Sequence, residues 1–277
     1  MGVVRPLVGS DINELLPLFD RDPVVHCFIE GRTRIAGLDP YRLGGEVWGY
    51  QRGDTLESAF YYGANLVPIE TTVAARAAFA DHVRRMPRRC SSIVGNADEV
   101  LDLWRLLEPA WGPAREVRDE QLLLVHDREP VVESDPLVRY ATIADVDVLF
   151  PACVEMFSEE VGVSPLAGGA GTLYRARVSD LVRERRSFVR LAGDTVEFKA
   201  EVGAASARAC QIQGVWVPPH LRGRGLSVGG MAAVVRAAQR DIAPVVSLYV
   251  NSYNTPARKS YAQVGFHRHG TFATILF

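Results

Sequence analysis

The residues best suited to chemistry lie in Gly214-Val-Trp-Val-Pro-Pro-His-Leu-Arg-Gly-Arg-Gly-Leu-Ser-Val-Gly-Gly, positions 214–230. An apolar run ends in Pro218-Pro219, Arg222-Gly223-Arg224-Gly225 follows, and an Ala/Val-rich helical pattern begins at once. Glycines let successive backbone N–H groups turn toward one point, and the first free amides of a helix add positive potential there. Arg222 and Arg224 bring full charges for phosphate oxygens. The segment reads as an anion site able to hold a pyrophosphate. Its spacing is neither GxGxxG after a first strand nor the GxxxxGK of a P-loop, so a Rossmann cofactor and a P-loop nucleotide are disfavoured.

The pattern Val215-x-Val217-Pro…Arg222-Gly-x-Gly225-x-Ser227 resembles the acetyl-CoA-binding motif of the GCN5-related N-acetyltransferases (GNAT), with Ser227 where a small Gly or Ala is usual. A second segment, Ser247-Leu-Tyr-Val-Asn251-x-x-Asn254-x-x-Ala257-Arg258-x-x-Tyr261-x-x-x-Gly265-Phe266, is similar to that superfamily's strand and helix closed by Gly-Phe. The resemblance covers residues 138–277. It implies acetyl-CoA as co-substrate, held by Val215, Trp216, Val217, Arg222, Gly223, Arg224, Gly225, Leu226 and Ser227, with Asn251 and Asn254 also on the cofactor side. Asn254 would contact the pantetheine arm, which would pair with backbone along Gln213 to Val217. Tyr261 would stand near the thioester sulfur as general acid for the leaving thiolate. No metal is implied. The resemblance implies as acceptor a primary amine of a protein or small molecule, acylated by direct transfer in a ternary complex.

Transfer needs a neutral amine, yet an alkylammonium has a pKa of about 10.4, so a base or water chain is expected. Many relatives place a Glu on the strand before the phosphate loop; here Gln211 and Gln213 stand there. Three substitutes exist: Glu201 or Glu197 on the adjoining strand, Glu159 and Glu160 at the end of the second half's first helix, and the α-carboxylate of Phe277. His220 reads as structural or solvent-facing, and Trp216 as packed against the fold. The Gly-rich segment 161–178 reads equally as a mobile lid and as a surface loop. A CoA-binding regulatory or scaffold protein without turnover is the alternative reading, and the missing strand carboxylate favours it.

The elements that position these residues come from a faint internal repeat. Val4-Arg5, Asp11-Ile12, Leu15 and Pro17 recur as Val138-Arg139, Asp145-Val146, Leu149 and Pro151. Each half opens with a strand and an amphipathic helix, and each closes with a helix ending at Gly and a final strand. The second half predicts strands at 138–142, 187–192, 195–203, 209–217, 245–251 and 267–276, with helices at 145–161, 170–185, 226–240 and 255–264. The first half predicts the same order, including helices near 11–19, 23–36, 72–86 and 98–109. The fold class is mixed-sheet α/β, read with the resemblance as tandem GNAT-like folds: residues 1–128, a degenerate copy, and 136–277, the catalytic one, joined by the polar stretch 126–136. From Ala64 to Val94 the first half has no glycine, and its counterpart of the phosphate loop carries Glu70. This two-lobed plan is distantly similar to an actinobacterial type, mycothiol synthase.

The bulk properties agree. The chain has 277 residues, 48% of them hydrophobic and 23% charged, and a formal net charge of −2. That suits two medium globular domains and argues against a dedicated nucleic-acid binder. The 4 cysteines form no CxxC pair, so neither a zinc cluster nor a disulfide framework is indicated. No apolar run approaches the roughly 18 residues of a membrane span, and a cytoplasmic monomer or homodimer is expected.

Overall fold

In the computed structural model, which describes residues 2–277, the repeated opening becomes the same local structure twice. Asp11 accepts the Val8 N–H at 2.7 Å and receives the Arg5 guanidinium at 2.8 and 3.1 Å. Asp145 accepts the Thr142 N–H at 2.7 Å and the Arg139 guanidinium at 2.7 and 2.8 Å. Each carboxylate closes one 3-10 turn and starts a long helix. Hydrogen bonding to its arginine holds each below the usual carboxylate range.

In chain order the elements are β1 (Val3–Pro6), α1 (Ile12–Arg21), α2 (Pro23–Ala36), α3 (Pro40–Leu43), β2 (Gly45–Arg52), β3 (Thr55–Gly63), β4 (Asn65–Ile69), α4 (Val73–Val83), β5 (Ser92–Asn96), α5 (Ala97–Trp111) and β6 (Glu116–His126). Then follow β7 (Arg139–Tyr140), α6 (Val146–Val161), α7 (Gly171–Arg183), β8 (Ser187–Ala192), β9 (Thr195–Ala205), β10 (Ala209–Trp216), α8 (Leu226–Asp241), β11 (Val245–Asn251), α9 (Thr255–Val264) and β12 (His267–Leu276). The predicted strand at 138–142 shrinks to two residues, the helix predicted over 72–86 stops at Val83, and α3 was not foreseen.

These elements form two compact units. The first holds residues up to Leu124 together with Tyr249–Tyr253 and Arg268–Phe277; the second holds Val125–Leu248 and Asn254–His267. Beside the expected division into 1–128 and 136–277, the last strand of the chain lies in the first unit. The first unit's sheet runs β1-β2-β3-β4-β5-β12-β6. Phe272–Leu276 of β12 pair antiparallel with Asn96–Ser92 of β5, and the Thr274 hydroxyl donates to Gln121 Oε1 of β6 at 2.6 Å. Helices α1 and α2 bury Leu15, Leu18, Phe19 and Ile29 in one hydrophobic cluster of this unit, while α4 and α5 bury Phe79, Val83, Leu103 and Leu107 in another with Phe60 and Tyr62.

The second unit's sheet runs β11-β10-β9-β8-β7. Leu149, Cys153 and Met156 of α6 join Val178 and Val182 of α7 over Val189, Val196 and Trp216 of the sheet. On α8, a Cβ at Gly230 would come 2.8 Å from the Phe198 ring, so glycine there lets the helix lie close on β9. Among the described residues, no helix is long and apolar enough to cross a membrane.

Candidate active site

The second unit brings a bulged strand, a glycine turn and an uncapped helix together. Strand β10 pairs in parallel with β11 only at Ala209–Gln211 against Val245–Ser247. Beyond that point no ladder to β11 is formed, so the backbone approaching Trp216 is free on that side. On the other side its antiparallel register with β9 jumps: Gln213 faces Glu201, but Trp216 faces Lys199, one residue more on β10 than on β9. Gly214 sits in the bulge at φ +59°.

After β10, Gly223 and Gly225 take φ +77° and +80°, with open space around them. Glycine is required there by backbone conformation and not by crowding. Gly225 is the N-cap of α8, and no side chain caps that helix. Its first amides therefore remain available to an anion. The Ser227 hydroxyl lies 3.0 Å from that of Ser260, tying α8 to α9.

Arg222 is placed differently from its expected role. Its guanidinium forks onto Glu159 of α6 with two bonds of 2.7 Å, and its Nε donates to the Val217 carbonyl at 2.9 Å. The Trp216 indole N–H also donates to Glu159, at 3.3 Å. This pairing depresses the Glu159 carboxyl and raises the Arg222 guanidinium. Arg222 thus pins the loop, while exposed Arg224 makes only a 3.3 Å bond to the His220 carbonyl.

Of the carboxylates, Glu201 is the one at the bulge. It is buried, accepts the Gln213 amide at 2.7 Å, and stands 3.5 Å from the Lys199 ammonium. Glu197 is bound to Arg190 at 2.6 Å. Tyr261 of α9 is buried beside the Phe266 ring. Burial pushes its phenol above the usual tyrosine range, and the nearby Glu160 charge adds to this. It is therefore protonated at neutral pH.

Three expected site residues are used otherwise. The Asn254 carboxamide oxygen caps α9 through the Ala257 N–H at 3.2 Å. Asn251 belongs to the first unit, where it accepts from Gln121 at 2.9 Å. Phe277 is also in the first unit: its ring packs against Trp104, Trp111 and Arg88, and its N–H donates to the Ser91 carbonyl at 3.1 Å. The α-carboxylate of Phe277 is thus not among the groups the second unit gathers, because β12 pairs with β5. Lys199 and Tyr174 escaped the sequence reading. The signal for Lys199 was present, since it is one of two lysines in a chain otherwise using arginine.

The matching junction of the first unit is closed. Between β4 and α4, Thr72 caps the helix by accepting the Ala75 N–H at 3.1 Å. The Glu99 carboxylate takes the Thr71 N–H at 2.9 Å, and Ser58 takes the Thr72 N–H at 3.1 Å. Glu70 adopts φ +52° and meets the buried His26 at 3.0 Å. The protein's own oxygens occupy the helix start.

Residues 187–266 match the Acetyltransferase (GNAT) family, and residues 45–149 match a domain of unknown function, DUF4081. No curated protein matches the chain. Among solved structures it is similar to a GCN5-related N-acetyltransferase from Sphaerobacter thermophilus, at 15% identity and TM-score 0.60, covering 99% of this chain and 95% of that one. It is similar to a tandem GNAT protein from the clavulanic acid biosynthesis pathway, at 14% identity and TM-score 0.55, covering 100% and 98%. A Drosophila protein aligns at 14% identity and TM-score 0.70, covering 100% and 99%. At such identities the likeness is one of fold.

Proposed function

We propose, from the tandem GNAT-like fold and the match of residues 187–266 to the acetyltransferase (GNAT) family, an acetyl-CoA-dependent N-acetyltransferase acting through its second unit. The observation that carries this reading is the uncapped start of α8 behind Gly223 and Gly225, set at the end of a strand that is bulged on one side and unpaired on the other. The pyrophosphate of acetyl-CoA is held by the amides from Gly223 to Ser227 and by Arg224. Arg222 shapes the loop through Glu159. The pantetheine arm runs along the free backbone from Gln213 to Val217.

A primary amine of a protein or small molecule attacks the thioester carbonyl carbon in a ternary complex. The C–N bond forms and the C–S bond breaks. The ammonium form of the acceptor gives its proton to Glu201, directly or through water. Backbone N–H groups near Val217 stabilise the developing oxyanion. Tyr261, protonated at neutral pH, gives its proton to the departing CoA thiolate and regains one from the acylated nitrogen as the neutral amide forms, while Glu201 passes its proton to solvent. The first unit is a degenerate copy whose junction is filled by Glu99, Thr72 and Ser58.

The test is calorimetric titration of acetyl-CoA with CoA-thiol release followed against primary amines. The wild type binds and releases CoA, and Tyr261→Phe keeps its affinity while losing about 10²-fold in turnover. Binding without release from any amine selects the CoA-binding regulatory or scaffold alternative, and no binding at all sinks both.

A further inference from the structure

Lys199 is fully buried on β9, directly beneath the β10 bulge. A buried ammonium is costly unless its N–H groups are taken up. Here Nζ donates to the Gly214 carbonyl at 3.0 Å and stands 3.5 Å from Glu201 Oε2. The bulge explains why a cation belongs there. With an extra residue on β10, Gly214 and Val215 have no partner on β9. The Gly214 carbonyl therefore leaves the ladder, and the Lys199 ammonium supplies the donor it would otherwise lack.

The fit is close. A Cβ at Gly214 would lie 3.0 Å from Lys199 Nζ, 3.1 Å from Met156 Cε and 3.3 Å from Glu201 Cδ. A compact ammonium fills this space, whereas a planar guanidinium is broader and needs a fork of acceptors. That accounts for a lysine in a chain whose other basic residues, apart from Lys259, are arginines.

We infer that Lys199 is a positioning residue for acyl transfer: its ammonium holds the Gly214 carbonyl and the Glu201 carboxylate, setting the bulged backbone of residues 215–217 and the proton acceptor in one geometry. This rests on the acyl-transfer reading. Lys199 touches neither the glycine turn nor the start of α8. It acts on the thioester end of acetyl-CoA and leaves the pyrophosphate end alone.

The experiment compares full-length wild type, Lys199→Met and Lys199→Met/Glu201→Gln. Their turnover with a primary amine, acetyl-CoA and CoA affinities, and Gly214 carbonyl ¹³C resonance are measured. The double variant guards against misfolding, since it leaves no buried carboxylate without its cation. In Lys199→Met, turnover falls about 10²-fold, CoA affinity stays within about 3-fold because the pyrophosphate contacts are intact, and the Gly214 resonance shifts. Both variants share that shift. Unchanged turnover, or an unmoved Gly214 resonance in either variant, overturns the inference, as does CoA affinity falling in step with turnover. Should the wild type bind acetyl-CoA without turnover, the transfer reading fails by itself. Lys199 is then judged by whether Lys199→Met shifts the Gly214 resonance and weakens acetyl-CoA relative to CoA; absence of either change overturns its positioning role.

Discussion

The two strand-to-helix junctions, Ile69 to Val73 in the first unit and Trp216 to Leu226 in the second, stand at matching places in a repeated fold and treat the helix start in opposite ways. In the first, Thr72, Ser58 and Glu99 consume the amides around the start of α4. In the second, Gly225 offers no side chain and α8 begins uncapped. A helix start is an anion site only if the protein refrains from capping it. One fold can therefore carry an open helix start and a closed one, and the difference rests on a handful of polar side chains.

The sharpest way to break the contrast is to give the second junction the first one's cap. Gly225→Thr adds a hydroxyl at the start of α8 and forces a β-branched residue toward φ +80°. Acetyl-CoA affinity, read by calorimetry, should fall about 10²-fold, the equivalent of one or two charge-assisted hydrogen bonds. Opening the first junction should do something else. Glu99→Gln removes the charged acceptor of the Thr71 N–H and should cost about 1–2 kcal/mol in urea unfolding, with no gain in acetyl-CoA stoichiometry. A second binding event there would mean that the first unit is only masked.

The smallest effect lies at the two repeat openings, which differ by one hydroxyl. Thr142 Oγ1 donates to Asp145 at 2.8 Å, whereas Val8 has no such group to offer Asp11. Thr142→Val should cost about 1 kcal/mol at neutral pH. Asp145 is held low by Arg139 first, and by the Thr142 N–H and hydroxyl after it. A depressed carboxyl stabilises the fold above its unfolded pKa of about 3.9, and that stability is lost as pH falls through the folded value. The gap between wild type and Thr142→Val should accordingly be full at neutral pH and close in acid, as urea unfolding across that range would report.

Much of this was legible in the chain. Arg5…Asp11 and Arg139…Asp145 marked the repeat because a fixed spacing of arginine and carboxylate is what one local turn needs, and local turns are written locally. Gly223 and Gly225 marked a turn for the same reason, since only glycine adopts their positive φ values at little cost. At Arg222 a basic residue beside a glycine turn suits phosphate, and the structure adds a partner the local pattern does not show: Glu159, far along the sequence, holds the guanidinium.

By itself, the sequence determined the elements, the repeat, the glycine turn and the family signature, because each depends on residues within a few positions of one another. Tertiary structure alone decided that β12 joins β5, which packs Phe277 against the first unit's core. It also decided that Glu201, not Glu197, meets the bulge, and that Lys199 lies beneath it. Strand pairing and buried charge partners join residues distant along the chain, and no local pattern specifies which of several alternating strands will meet.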